Sequence, residues 1–344
     1  MKPSLQSREI DPEAFAALAS PKEKIAFILQ YGVLAPSTHN SQPWRFTLGE
    51  NYCDIYRDDA KPIVYADPHG RDLYISFGCL IENIVIAAQY FKVFDRVEYM
   101  VTENRIARVY FKELGKTPAL LREENMKHLV SAILYRVTAR GLFEDEPVDT
   151  ETETLLRSIK LPQDLGAVFL HTKEEIGTIA ELTRRGLLIA YRNPKFRKEM
   201  SRWLNHSLSS KPIGIPGYSL RMPFLLSFVF PHFVRWFNIG KQLGVINYRT
   251  IASAPEAVVI TARENGPRAW MDVGRYAERL MLEANAAGYK TSIFTAAIEM
   301  GDLHKELQAF LKTSQIPQFI IVIGKLDYQQ KPNLRYAAQV KIVQ

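Results

Sequence analysis

Cysteine is nearly absent. Cys53 and Cys79 are the only two in 344 residues, and each sits in an apolar stretch. Two such distant residues build neither a disulfide framework nor a cysteine metal site; they fit buried thiols in a reducing compartment. Long hydrophobic runs are also missing. Outside the strands the longest apolar stretch is near Phe224–Phe230 and is ended by Pro231, far short of the roughly 20 residues that span a bilayer. The opening residues, MKPSLQSREIDPEAF, have no apolar centre, so no signal peptide is expected and a cytoplasmic location is. The net charge is +7 and the pI about 9.2, a balance that suits an anionic ligand, nucleic acid or a membrane surface. No run of five or more Lys and Arg occurs, so no nucleic-acid partner is expected. The turn Gly214-Ile215-Pro216-Gly217 lacks the spacing and the preceding strand of a dinucleotide-binding loop.

What is present is ordinary for a folded protein with a real core: 47% hydrophobic and 24% charged residues, enough for one large or two ordinary domains. One stretch organises the rest, Leu34–Trp44, LAPSTHNSQPW. Ser20-Pro21-Lys22-Glu23 is a capping box that opens a helix over 21–34. After the loop, residues 44–56 alternate as two strand pieces around Gly49-Glu50-Asn51. Pro36 stops the helix and Pro43 fixes the exit. Ser37, Thr38, Asn40, Ser41 and Gln42 offer many hydrogen-bond donors and acceptors without strong charge, which suits the edge of a flat heteroaromatic ring. The same composition also suits a connecting loop that satisfies its own backbone. His39 either touches a ligand or caps a turn, and the cap is expected.

Residues 71–91 are apolar around nearly the whole helical circumference, with small Ser76, Gly78, Ala87 and Ala88. That predicts a buried helix that another helix approaches closely. Residues 93–113 read as two strands and 114–125 as a linker. A helix then ends in Arg136-Val137-Thr138-Ala139-Arg140. The alternation places two guanidinium groups and a hydroxyl on one side of an extended turn. That suits a phosphate, or simply a solvated basic turn. A helix and a strand at Ala167–His171 follow, then a helix over 173–191 and a Lys- and Arg-rich segment to Trp203. Residues 205–248 look irregular and then aromatic-rich. Phe224–Phe237 is expected to be a packing helix broken at Pro231, ahead of a lid and, last, a membrane-surface contact. An interfacial helix would need a sustained cationic face, and only Arg235 and Lys241 lie nearby. Pro255–Ala262 and Phe319–Gly324 read as buried strands. The helix Met271–Gly288 echoes the earlier one: Gly78 matches Gly274, Glu82 Glu278, Ile84 Leu280, Ile86 Leu282 and Ala88 Ala284, always 196 residues apart. This internal repeat predicts two copies of one helix packed against each other.

Ala35–Trp44 resembles the flavin-contacting loop of the nitroreductase family, whose members bind FMN at a dimer interface. Arg136-x-Thr138-x-Arg140, continuing to Phe143 and Val148, resembles the segment that opens a nitroreductase subunit and holds the FMN phosphate and the ribityl and pyrimidine side. Residues 291–301, TSIFTAAIEMG, resemble the segment beside the flavin's central ring; Ile298-Glu299 match best and Met300 stands where Gly is common. In the tail, Arg335 takes the place of a basic residue that reaches the phosphate, and Asn333 stands where Lys is common. The polar loop and the Arg-x-Thr-x-Arg segment each occur once, in different halves; Leu161–Gly166 stands where a second polar loop would fall.

The pattern is similar to the Acg-type nitroreductase-like proteins, in which two halves are fused. It implies an α+β, nitroreductase-like fold, two half-repeats fused in one chain as an intrachain pseudo-dimer. The halves would be 21–125 and 126–344, after an extension at 1–20 and with an insertion at 192–250. The implied ligand is one FMN, held by Pro36, Ser37, Thr38, Asn40, Gln42, Arg136, Thr138, Arg140 and Arg335, with backbone amides around Ile298, Glu299 and Met300 at N5. No side chain need act as a nucleophile and no metal is implied. The implied activity is ping-pong reduction of nitroaromatics or quinones by NAD(P)H. The alternative is FMN storage or redox sensing without turnover, with 205–248 as a cover. The chain would act as a monomer or a weak homodimer.

Overall fold

A computed structural model describes residues 8–60, 62–102, 104–112, 114, 123–338 and 341–342. Most of the expected linker at 114–125 lies outside the described residues.

Helix α1 (Pro21–Gly32) begins with the expected capping box: Glu23 N–H donates to Ser20 Oγ at 3.2 Å and Ser20 N–H to Glu23 Oε2 at 2.8 Å. The hairpin β1 (Trp44–Leu48) and β2 (Tyr52–Arg57) follows, then helix α2 (Arg71–Tyr90) and strands β3 (Phe94–Thr102) and β4 (Arg105–Phe111). Helix α3 (Lys127–Tyr135) leads to α4 (Thr150–Ser158) and β5 (Leu165–Leu170). Next come α5 (Lys173–Arg192), α6 (Pro194–Trp203), the two-residue parallel pair β6 (Leu204–Asn205) and β7 (Ile215–Pro216), α7 (Leu226–Trp236) and α8 (Gly240–Ala252). The chain continues through β8 (Glu256–Ala262), α9 (Pro267–Ala286), β9 (Lys290–Phe294), α10 (Ala296–Glu299), α11 (Leu303–Phe310) and β10 (Ile316–Gly324).

Two four-stranded sheets result, ordered β1-β2-β4-β3 and β5-β8-β10-β9, with every neighbouring pair antiparallel. Counted within its own half, each sheet has its first strand beside its second, the second beside its fourth, and the third at the far edge. One long helix, α2 or α9, separates the second strand from the third. The chain is two copies of one α+β unit.

The repeat helices pack along each other, and the paired glycines explain how closely. A Cβ on Gly78 would lie 2.1 Å from the Met271 carbonyl oxygen, and one on Gly274 2.1 Å from that of Ile75. Only a hydrogen fits at either place, so the backbones touch. Helix α2 is long and apolar enough to cross a bilayer, but it is buried inside the protein. Both cysteines are buried and free, as expected.

The halves differ between their first and second strands. The first has the short turn at Gly49; the second has residues 171–255, with α5 to α8. This corrects the expectation of an irregular 205–248. The signal lost to sequence reading was α8, whose buried positions are Gly240, Gly244, Thr250 and Ile251 rather than a bold apolar stripe. Helix α7 also runs through Pro231 instead of breaking there. Proline removes the one bond back to the preceding turn, and Val234, packed with Phe196 and Met200 of α6, holds the helix together. Nor is α7 a core helix: Ser227 and Val234 alone are buried, while Leu225 is 79% and Trp236 69% exposed.

The insertion folds back on the first half. The Glu199 carboxylate accepts from the N–H groups of Val64, Tyr65 and Ala66 at 2.7–2.9 Å. The tail crosses in the same direction: Phe46 N–H donates to the Lys341 carbonyl at 3.0 Å, which carries Arg335 to the first half.

Candidate functional site: a cationic notch opening on an apolar cavity

The loop between α1 and β1 holds three non-glycine residues at positive φ: His39 at 52°, Asn40 at 58° and Gln42 at 50°. Such geometry costs roughly 1–3 kcal/mol per residue and needs support. The supports are hydrogen bonds. Gln42 N–H donates to Ser37 Oγ at 3.0 Å, so Ser37 does serve its own loop. Asn40 Nδ2 donates to the carbonyls of Pro212, Gly214 and Leu334 at 3.0–3.2 Å. Gln42 Nε2 donates to the Pro212 carbonyl at 2.6 Å, and its Oε1 accepts from Tyr336 N–H at 2.9 Å. These two amides therefore tie the loop to the insertion and the tail. Gln42 is fully buried and lines neither cavity described below.

Arg136 caps the C-terminus of α3, and the chain then runs extended beside β9. Thr138 bridges to Thr291, and Ala139 N–H donates to the Thr291 carbonyl at 2.7 Å. Extension makes side chains alternate. Ala139 turns into the core, while Arg136, Thr138 and Arg140 line one notch, as the alternation predicts; Val137 touches the notch as well.

The notch has a volume of about 110 Å³ and also receives Arg8, Lys331 and Arg335. Arg8, from the expected N-terminal extension, donates to the carbonyls of Leu134 at 2.6 Å and Arg136 at 3.2 Å. Arg335 donates to Asn40 Oδ1. One buried carboxylate stands among these cations: Glu278, 3.4 Å from Arg136 Nε. Burial, opposed by Arg136, raises it to about 7. Burial first, then repulsion from Arg8 and Arg136, pushes Arg335 far below the usual arginine value; burial and Arg136 take Arg8 down to about 10. Arg136 Nη1, Arg335 Nε and Arg8 Nε are buried with no hydrogen-bond partner. Buried charge and buried donors are stable only when paired, so this notch is built for an anion.

The notch continues into a cavity of about 990 Å³; Pro36, Ser37, His39, Thr138 and Arg140 line both. The larger space is mainly apolar. Thr38 and Cys79 come from the first half, Phe294 and Met300 from the second, and Phe230 and Leu243 from the insertion. His39 stands at the junction, half-buried and held neutral; desolvation, then Arg140, lowers it to about 4. Its Nε2 has no partner, so the ring faces the cavities instead of forming the expected cap there. Asp72 and Glu299 are the carboxylates of the large cavity. Glu299 accepts from Arg71 Nε at 2.8 Å. Asp72 accepts from Thr295 Oγ1 at 3.2 Å through Oδ2, while Oδ1 has no partner. Burial, then Glu299 and Asp67, holds the Asp72 carboxyl well above the ordinary range.

The amides around Ile298–Met300 are not free donors. Ile298 and Glu299 donate to the Thr295 carbonyl at 2.8 and 2.9 Å, and Met300 to the Ala296 carbonyl at 3.3 Å. The short helix α10 uses them for itself, and the Ile298 side chain belongs to the core. Sequence reading missed Arg8, Lys331 and Asp72, which no local pattern marks. It missed Glu278 as a site residue although the repeat had singled it out.

Two α+β half-repeats in one chain, with a cationic notch and an apolar cavity between them, define a fused, nitroreductase-like class. No family model matches the chain. Curated relatives do match it over nearly their whole length. "Putative NAD(P)H nitroreductase acg" of Mycobacterium tuberculosis is 21% identical over 315 residues, covering 88% of this chain and 89% of the relative. "Uncharacterized protein Rv3127" of the same organism is 21% identical over 307 residues, covering 84% and 83%. These relatives support the resemblance to the nitroreductase family. Among solved structures, the FMN and NADPH-dependent nitroreductase NfnB from Sphigopyxis sp. strain HMH aligns at a TM-score of 0.39 and 17% identity, covering 59% of this chain and 90% of NfnB. Iodotyrosine deiodinase bound to FMN and 3-iodo-L-tyrosine aligns at 0.40 and 14%, covering 60% and 95%.

Proposed function

We propose that this chain is an FMN-dependent oxidoreductase of the cytoplasm, using NAD(P)H to reduce nitroaromatic or quinone acceptors. One flavin would lie between halves 21–125 and 126–344. The observation that carries the reading is the excess of buried guanidinium groups over carboxylate in a notch joined to a large apolar cavity. The residues fit the group. A phosphate would take up the unpartnered Arg136 Nη1 and Arg335 Nε, with Thr138 as a hydroxyl donor. Charge-assisted bonds contribute about 1.5–3 kcal/mol each, enough together for stable retention. Arg140, shared by notch and cavity, would place a fixed positive charge toward the ring's pyrimidine edge. Ser37 and Thr38 would meet the ring's polar edge from the first half, and Met300 and Phe294 its faces. Asn40 and Gln42 would shape the loop rather than carry the ligand, and Glu299 would anchor Arg71. Bound FMN supplies reversible hydride acceptance, which a nicotinamide can drive and a nitro or quinone group can discharge.

Asp72 has the remaining role. Burial favours its protonated form, and the carboxyl lines the cavity, where it would serve as a proton source for an acceptor as it is reduced. Storage or sensing without turnover is the second reading, favoured by the wall that Leu226, Phe230, Phe233 and Leu243 build across the cavity. Anaerobic titration with NADPH and then NADH decides. Bleaching of the flavin band supports the oxidoreductase. A yellow protein that stays yellow supports storage, and a colourless protein that takes up no added FMN overturns both.

A further inference from the structure

Among the described residues, exposed large apolar side chains concentrate on α7 and at its two ends. Leu225, Val229, Trp236 and Phe237 stand exposed on or at the ends of α7, and Ile246 of α8 is exposed as well. Monomeric proteins rarely leave so many large apolar side chains together in water. The surrounding charge is one-sided. Residues 192–250 hold ten Lys or Arg and a single carboxylate, so this stretch alone carries more positive charge than the chain's net +7. The single acid, Glu199, is buried against the amides of residues 64–66. Exposed cations stand on α7 and on the helices that flank it in the chain: Lys198 and Arg202 on α6, Arg235 on α7 and Lys241 on α8. The cationic rim missing from the α7 sequence is supplied by its neighbours. The patch is also the mouth of the cavity, since Leu226, Phe233 and Ile246 are both exposed and cavity-lining.

We propose that this face docks on an anionic phospholipid bilayer and that the cavity opens through it toward the lipid. Apolar and aromatic side chains would enter the headgroup boundary while the cations meet the negative surface. A second copy fits worse: a two-fold dimer would bring two cationic faces together with no exposed carboxylate from 192–250 on either side. On the oxidoreductase reading, the acceptor would be an apolar, membrane-dissolved molecule such as a quinone.

The test mixes the full chain with vesicles of phosphatidylcholine, alone or with phosphatidylglycerol, and reads flotation and tryptophan emission. Trp44, Trp203 and Trp270 are buried, so a blue shift reports Trp236. The expected result is salt-sensitive flotation with phosphatidylglycerol vesicles and a blue shift. Leu225→Glu/Val229→Glu, outside the cavity lining, should weaken binding about tenfold or more at unchanged Tm. Trp236→Phe should float without the shift. No binding to the anionic vesicles overturns the proposal, and so does equal flotation of the double variant. A concentration-dependent dimer that the double variant dissolves, without vesicle binding, assigns the face to a second copy. Neither readout needs flavin: a colourless chain that floats keeps this proposal and removes the flavin reading, and a yellow enzyme that does not float does the reverse.

Discussion

The internal repeat relates two clefts that differ mainly in charge balance. Ser76 and Cys79 of α2 line the apolar cavity beside the notch; their repeat partners on α9, Asp272 and Arg275, line a second cleft of about 630 Å³. Each cleft is lined by a loop that joins a helix to its half's first strand, at Pro36 after α1 in one and Pro162 after α4 in the other. One repeat-related glutamate belongs to each: Glu82 lines the second cleft, and Glu278 lies behind the first, beside Arg136. In the second cleft, Glu82 accepts from Arg275 Nε at 3.0 Å and Arg279 Nε at 2.9 Å, one on each oxygen. In the first, Glu278 faces more guanidinium than it can neutralise, and buried donors stay unpaired. Equal folds thus hold unequal charge. A cleft whose ions satisfy one another gains little from an anion, and on the proposed function the ligand would bind in the unbalanced one.

Breaking the imbalance should have the largest effect. Arg136→Ala/Arg140→Ala removes two charge-assisted contacts worth about 1.5–3 kcal/mol each. Flavin retained after gel filtration should disappear, whereas Arg275→Ala/Arg279→Ala should keep it. Unchanged flavin in the first variant would remove the site assignment. The α2–α9 contact should behave symmetrically. Gly78→Ala and Gly274→Ala each force a Cβ into a carbonyl and should cost about 3 kcal/mol, seen as similar drops in Tm; a clear inequality would show that one half carries the contact.

The two glutamates sharpen the comparison further. Glu278 titrates at about 7 in the fold, against an ordinary 4.5. The folded chain therefore keeps a proton that the unfolded chain has released. This contribution to stability is complete below about pH 4.5 and is lost as pH rises through about 7. Glu278→Gln should flatten that fall in the flavin-free protein, by up to about 3 kcal/mol in denaturation midpoints between about pH 5 and 8. Glu82→Gln instead weakens the partner of two arginines and should cost about 1–3 kcal/mol. The smallest difference concerns the two loops. Gln42→Ala loses bonds to Pro212 and Tyr336 and should cost about 1–2 kcal/mol, while Gln163→Ala, exposed in the counterpart loop, should stay within about 0.5 kcal/mol.

Much of this arrangement was legible in local patterns. The capping box at Ser20 and Glu23 starts its helix, the Arg-Thr-Arg alternation faces one notch, and the glycine repeat marks the helix crossing. Each signal depends on a few neighbouring residues or a fixed periodicity. Arg8 was illegible because one arginine in a polar stretch carries no pattern. Asp72 looked like an acid in the first turn of a helix, with no hint of burial. The amides at 298–300 misled because a matching stretch of sequence does not say whether a helical turn already uses its donors. Helix α7 misled because an aromatic stripe is the same whether it faces a core or the outside.

By itself the sequence determined the elements outside 205–248, the repeat that relates the two halves and the glycines that let them touch, because propensity, capping and close approach act through adjacent residues or a repeat. Only the tertiary structure decided that Arg8, Arg136, Arg140 and Arg335 share one space with a single nearby carboxylate, and that α7 turns its apolar face outward. Electrostatic energy depends on distance and on access to water, and residues hundreds of positions apart acquire both only when the chain has closed.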